Sequence, residues 1–527
     1  VHKLKLILIN GRIMTMDERG VVEALVSDDG RVVFLGSSDE ALAYRDKDTK
    51  VIDLRGYYVL PGLIDAHLHL AGLGFSLDWI NLRGVRSIEE MKARIRQESQ
   101  DKELILCRGW DQELFAERRF PTRHDLDEAM KDKPVIAFRI CGHLAVLNTK
   151  ALELIGLRRI LEGPYKEYFE RDEKGNLNGI VKEKGLSLVH EAIRGDEEYY
   201  LSAIRRACIE AAKHGITMVH AMSCTLEELK AIVTLRSRGE LPIRVRAYLS
   251  YDVFKTIENI ERLRAMNDDM FKVCGIKVIA DGSLGARTAY LSEPYHDEPS
   301  TRGELLISKE ELGEIMDRAL DTNMQVAIHA IGDGAVEMVL EVFEDRKEEV
   351  TRLRHRIEHA SVLNEDVVEL LRTVKPVVVV QPHFIISDWW IVRRLGQRRA
   401  RLAYPFKTLM RHCVVAFSSD APVEPVNPWV SIEAAVTRGM DIGIELGKLT
   451  AHERLSLEEA LRCYTTGSSY ACSEERRAGV LREGGYADFV VVDKNPLNTS
   501  KVKVLATFVN GNKVYEARPG VVEAIQA

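Results

Sequence analysis

The chain has 527 residues, 46% of them hydrophobic and 29% charged, with a formal net charge of −7. This is a globular composition; charges of both signs are interspersed with no basic stripe for nucleic acid, and no apolar run approaches the roughly 18 residues of a membrane span. The eight cysteines include no CxxC pair and read as reduced thiols of a cytoplasmic protein, while abundant Glu, Lys and Arg beside scarce Gln point to a thermophilic source.

The opening, from Val1 to Gly11, is basic but carries an apolar stretch too short for a signal peptide. Leu4 to Ile9 reads as a strand, Asn10-Gly11 as a hairpin turn, and Val32 to Gly36 as another strand. The far end resembles the opening. Asp488 to Asp493 is a buried-strand pattern, Val504 to Val509 follows, and Asn510-Gly511 precedes Lys513-Val514-Tyr515. Neither end can bury a core alone, so residues 1–57 and 478–527 are expected to meet in one composite β-sandwich.

Between them, short β-rich runs alternate with charged stretches of helical period, which is the α/β pattern of a parallel sheet. Eight candidate strands, Tyr58–Ala66, Ile216–Ala221, Ile243–Leu249, Gly275–Ala280, Gln325–Ala330, Arg354–His359, Val377–Gln381 and Val414–Ser419, predict a TIM-like (β/α)8 barrel over residues 58–477. The long gap after the first strand, at about residues 75–210, contains helical stretches at Ile88–Glu98 and Tyr199–His214 and is expected to be an insertion or lid.

The chemistry concentrates at the ends of these strands. In Pro61-Gly62-Leu63-Ile64-Asp65-Ala66-His67-Leu68-His69, the two histidines are two apart and share a face, which at a barrel mouth allows them to chelate one cation. A lone histidine at a strand end is usually structural. Here other predicted strands end in His329, in His359 and in Asp420, and this convergence favours metal binding. Lys277 lies in an apolar run, Gly275 to Ala280. Burial would lower its pKa, and the neutral amine can add carbon dioxide to give a carbamate that bridges two cations. The alternatives are a Lys277 paired with a carboxylate such as Asp281, or a bridging role for Glu183.

The segment Pro61 to His69 resembles the first-strand motif of the amidohydrolase superfamily. Gly109-Trp110-Asp111, Gly142-His143, Asp281 to Thr288, His329 to Asp333 and Ser419-Asp420-Ala421-Pro422 resemble the amidohydrolase family 3 branch, which includes N-substituted formamide deformylases. The resemblance implies that His67 and His69 bind the more buried metal, that Lys277 bridges, and that His329 and His359 bind a second metal. Asp420 would bind metal and shuttle the proton. One or two divalent ions, zinc first among them, would then generate a hydroxide that attacks a C–N bond other than a peptide bond, in an amide, formamide or N-acyl amine. His143 is expected to donate to the substrate, and Trp110, Asp111 and Arg287 to shape its pocket. Deamination of a heterocycle and a non-catalytic barrel scaffold are the alternatives. Expected partners are a small-molecule substrate and a second copy in a homodimer, with no nucleic acid and no membrane.

Overall fold

The computed structural model describes residues 4–525; Val1, His2 and Lys3 of the basic opening lie outside the described residues. Eight parallel strands form one sheet: β1 (Leu63–Leu68), β2 (Ile216–Cys224), β3 (Arg244–Ser250), β4 (Phe271–Ile279), β5 (Gln325–Ala330), β6 (Arg356–His359), β7 (Val377–Val380) and β8 (Val415–Phe417). Each pairs with its sequence neighbour, in the order β1 to β8. The ring closes just beyond the last ladder. The Asp420 amide donates to the His67 carbonyl at 2.8 Å, and the His69 amide donates to that of Ala421 at 2.8 Å. Asp65, fully buried on β1, accepts from the Ser419 amide at 3.0 Å. Helices cover the outside, so strands such as β7 (Val-Val-Val-Val) are buried along their whole length. No helix among the described residues is long and apolar enough to cross a membrane.

The first barrel strand begins later than the sequence suggests. Tyr58–Pro61 lies in a different sheet, antiparallel to Phe489–Val492 and parallel to Arg12–Met14. The change of partner falls at Gly62, whose amide donates to the Asp488 carbonyl at 2.9 Å, while the Leu63 amide donates to Gly215 at 3.0 Å. A Cβ on residue 62 would sit 2.0 Å from Thr217 Oγ1, so the crossing requires glycine.

That second sheet has six strands, drawn from Arg12–Met14, Val21–Val22, Tyr58–Pro61, Phe489–Val492, Val504–Val509 and Asn512–Glu516. A five-stranded sheet of Leu6–Ile9, Ala24–Asp28, Arg31–Gly36, Lys50–Asp53 and Ala524–Ile525 accompanies it. Leu8, Leu25, Val59, Phe489, Val491 and Phe508 form one apolar cluster drawn from the two sheets. Asn510-Gly511 makes the hairpin that its sequence signals, with both residues at positive φ between antiparallel strands. Asn10-Gly11 does not. The strands on either side of it belong to different sheets, so this turn carries the chain from one sheet to the other.

Between β1 and β2 stands a six-stranded sheet running from Ile80–Asn81 to Leu177–Lys182. Its central strands bury both faces. Cys107, Val135, Ala137 and Val146 enter one apolar cluster, and Leu106, Ile136, Phe138 and Ala145 enter another. The helix Ile88–Glu98 belongs to this unit, packing against Arg123–Ala129. The helix expected at Tyr199–His214 spans Glu197–Lys213 and packs instead on Leu70–Ser76 and β2, inside the barrel's own core. The sheet-forming insertion is therefore shorter than 75–210 and richer in strands than its sequence suggests.

Candidate metal centre

Alternation along β1 turns His67 inward, and His69 follows at the start of the helix Leu70–Ser76. Asp420 lies just past β8, after Ser418 and Ser419. Its φ of 58° is left-handed, a conformation that carboxylate and amide side chains tolerate better than most. His359, ending β6, has φ 81°, so two of the strand ends at the mouth hold sparsely populated backbone geometry. One ligand atom from each of His67, His69 and Asp420 can be chosen so that all lie within 4.8 Å of one another. Asp420 Oδ1 is 3.2 Å from His67 Nε2 and 3.0 Å from His69 Nε2. His67 is fully buried, whereas the His69 side chain is 35% exposed.

The remaining histidines continue this cluster. The His67 and His359 rings are 5.0 Å apart, those of His359 and His329 4.6 Å, and those of His329 and His143 5.2 Å. Hydrogen bonds select the nitrogen left free on each. His329 uses Nε2 toward the Gly282 carbonyl at 2.8 Å, leaving Nδ1. His359 uses Nδ1 toward Gln381 Oε1 at 2.6 Å, leaving Nε2, and the Gln381 amide is itself oriented by donating to Ser418 Oγ at 2.9 Å. Burial holds both imidazoles well below the usual histidine range, in the neutral form that a metal requires.

Lys277 is buried on β4, and among the described residues no hydrogen bond or ion pair engages its Nζ. Burial lowers its pKa, opposed by Glu358 and Asp420. Its charge acts on His67, His69, His329 and His359, which places it within the cluster. Asp281 is not its partner, because that carboxylate accepts from the backbone amides of Tyr290, Ile331 and Gly332 at 2.9 to 3.0 Å. Glu183 is engaged too, accepting from His143 Nδ1 at 2.8 Å and from Thr288 Oγ1 at 2.6 Å. Burial opposes a charge on His143, but Glu183 outweighs it and lifts the imidazole to about 9. His143 is delivered by a turn with Gly142 at φ 75°, which reverses the chain between Val135–Arg139 and Leu144–Leu147.

A fit to metal can be judged from atoms left without partners. His67 Nδ1, His67 Nε2 and Asp420 Oδ1 are all buried and make no hydrogen bond. Burial works against charge on both residues; their mutual attraction outweighs it, raising the pKa of His67 and pulling that of Asp420 well below its ordinary value. A cation bound between His67 Nε2 and Asp420 Oδ1 would satisfy both atoms and take over that balancing charge, while His67 Nδ1 faces Glu358 at 3.3 Å.

Three expected pocket residues are placed elsewhere. Trp110 is fully buried in the insertion core, donating to the Ala137 carbonyl at 2.8 Å and stacking on Phe115. Asp111 accepts from Arg139 at 3.0 Å, and Arg287 pairs with Asp297 at 2.9 Å. None of the three lines the cavity over the mouth. Motif position suggests a pocket role for them, but packing and ion pairing occupy all three. The cavity wall comes instead from His143, Arg139, Ser387, Asp388, Tyr404 and Glu424, among others.

Sequence reasoning also passes over Glu358 and Gln381, which act behind the histidines. Glu358 Oε1 lies 3.3 Å from His67 Nδ1 and is held by Arg356 at 2.5 Å. Arg356 and Glu358 are opposite charges two apart on a buried strand, and that pairing is the signal available in the sequence.

A profile described as the amidohydrolase family matches residues 50–515. YtcJ of Bacillus subtilis (strain 168) is 32% identical over 532 residues, covering 97% of this chain and 100% of its own. The N-substituted formamide deformylase of Arthrobacter pascens is 24% identical over 539 residues, covering 97% of this chain and 98% of its own. The crystal structure of an uncharacterized metal-dependent hydrolase from Pyrococcus horikoshii OT3 superposes with a TM-score of 0.78 at 36% identity, over 94% of this chain and 99% of that one.

Proposed function

The chain belongs to the amidohydrolase family, in its family 3 branch, and from that premise we propose that it hydrolyses a non-peptide C–N bond in a small amide, N-substituted formamide or N-acyl amine. The observation that carries the reading is that His67 Nε2 and Asp420 Oδ1 are buried without a hydrogen bond and lie 3.2 Å apart beside His69. The deformylase relative supports the choice of bond. His67, His69 and Asp420 would hold one divalent cation, with His329, His359 and Lys277 placed to hold a second. Zinc is the first candidate, since its preferred ligands are imidazole, thiolate and carboxylate. Such a cation supplies Lewis acidity and makes water acidic enough to attack near neutral pH.

The protein's own groups do the rest. Neutral Lys277 adds to carbon dioxide through Nζ, forming a C–N bond and releasing a proton to solvent, and the resulting carbamate brings the anionic oxygens that His329 and His359 lack. Asp420, with its carboxylate kept ionised, accepts the proton of the attacking water and passes it to the departing amine. His143, cationic up to about 9, donates a hydrogen bond to the carbonyl oxygen as negative charge develops there.

The test is elemental analysis of the purified protein, followed by a screen of N-formyl and N-acyl amines. One to two equivalents of metal per chain are expected, lost in a His67→Ala/His69→Ala double variant together with turnover. Less than about a tenth of an equivalent after incubation with metal and bicarbonate overturns the reading.

A further inference from the structure

One wall of the cavity holds more negative charge than the hydrolysis of a simple amide needs. Glu424 follows Asp420 by four residues, and its side chain is only 1% exposed. Oε2 accepts from Ser387 Oγ at 2.6 Å and meets His383 Nδ1, but Oε1 is buried with no partner. Asp388 lines the same wall, with one oxygen accepting from Tyr404 Oη at 2.5 Å. Burial raises Asp388 to about 7, and the charge on Glu424 adds to that rise. The guanidinium that lines this cavity is already committed: Arg139 donates to Asp111 at 3.0 Å and to Gln112 at 2.8 Å. A buried carboxylate oxygen without a donor is costly, and a second carboxyl close enough to feel its charge favours a cation between them.

We propose that Glu424 and Asp388 form a subsite for a positively charged, N–H-bearing group of the substrate, an alkylammonium or a guanidinium, and that Glu424 is the residue that sets this specificity. The subsite lies in the cavity that His329, His359 and Asp420 also line, so one bound molecule could reach both. The idea rests on the proposed function only in treating this cavity as the substrate's. It does not depend on which bond is cleaved. Glu424 Oε1 would accept an N–H hydrogen, His383 and Ser387 would hold the other oxygen in place, and Asp388 would add a second carboxyl acceptor. A substrate without the donor would leave Glu424 Oε1 unpaired, and a polar site rejects such an analogue more strongly than an apolar pocket rejects a missing methylene.

Metal-loaded full-length protein is titrated with methylguanidinium and, separately, with tetramethylammonium, and binding is followed by saturation-transfer NMR. Both probes are cations, but only the first has N–H donors, and neither contains an amide. Methylguanidinium is expected to bind at least about tenfold more tightly, with that preference lost in Glu424→Gln and in Glu424→Leu while metal content is kept. Should the leucine variant not fold, the glutamine variant carries the test. Equal binding of the two probes, absence of methylguanidinium binding, or a preference that survives in the glutamine variant overturns the subsite. A clear preference in a protein that hydrolyses no amide refutes the proposed reaction and leaves the subsite standing.

Discussion

Asp420→Asn isolates the proton-transfer role from the fold. The substitution keeps side-chain shape, and asparagine accepts the φ of 58° as readily as aspartate. The backbone bonds that close the barrel are untouched, with the amide of residue 420 still donating to His67 at 2.8 Å and that of Val423 donating to the residue 420 carbonyl at 2.9 Å. What disappears is the anionic oxygen 3.0 Å from His69 and 3.2 Å from His67. A positioned general base contributes 10²- to 10⁴-fold, about 3 to 5 kcal/mol of barrel-mouth catalysis, so kcat/KM should fall by about 10³. His67, His69 and the amide oxygen of the new side chain remain as candidate ligands, so bound metal should stay within about a factor of two of wild type. The assay measures kcat/KM on the best substrate of the screen, with elemental analysis and a melting curve on the same sample. A variant that keeps more than about a tenth of wild-type kcat/KM would refute the assignment of Asp420 as proton carrier.

Glu358→Gln removes the charge facing His67 Nδ1 at 3.3 Å, and metal affinity should fall about 10- to 100-fold in chelator competition, with kcat at saturating metal changed far less. If affinity is unchanged, Glu358 serves Arg356 alone. Trp110→Ala should cost about 3–5 kcal/mol of stability through the cavity it leaves, while kcat/KM stays within a few-fold. A raised KM in a variant that melts normally would return Trp110 to the substrate. Glu228 is held by burial at about 7, above its ordinary 4.5, while accepting from the Ala71 amide at 3.0 Å. The folded state therefore keeps a proton that the unfolded chain has released. This contribution to stability is full below about 4.5 and is lost as pH rises through about 7. Glu228→Gln should thus stabilise the protein at pH 8 relative to pH 5, by up to about 3 kcal/mol. Equal shifts in melting temperature at the two pH values would contradict this.

The barrel is legible in the sequence because its strands are buried on both faces and read as short apolar runs such as Val377–Val380, and because the histidines fall at their ends. The split at Gly62 is not, since Tyr58 to Leu68 reads as one strand until its partners are known. The insertion sheet is hidden for a similar reason. Ile105–Trp110 and Val135–Arg139 bury both faces in different cores, so neither shows the alternation that marks a one-sided strand. Within the site, the histidines, Lys277 and Asp420, on or just past barrel strands, are found from sequence, whereas Ser387, Asp388, Tyr404 and Glu424 sit on loops and short helices without periodicity. Trp110 misleads because a conspicuous aromatic beside Gly109 marks a packed strand with Gly109 at φ 101° rather than a pocket.

The junction at Gly62 also fixes an order of assembly during synthesis. The chain emerges from its N-terminal end, at about 5–20 residues per second. Tyr58–Pro61, continuous with the strand that carries His67, precedes the barrel, but its antiparallel partner Phe489–Val492 appears only after all eight barrel strands. Asp420 and the closing bonds to His67 and His69 also lie far along the chain. A nascent chain thus exposes an unpaired strand edge, together with His67 and His69, while the barrel is being made. The proposed site cannot close around a cation until β8 and Asp420 have been made, so metal loading would follow synthesis of the whole barrel.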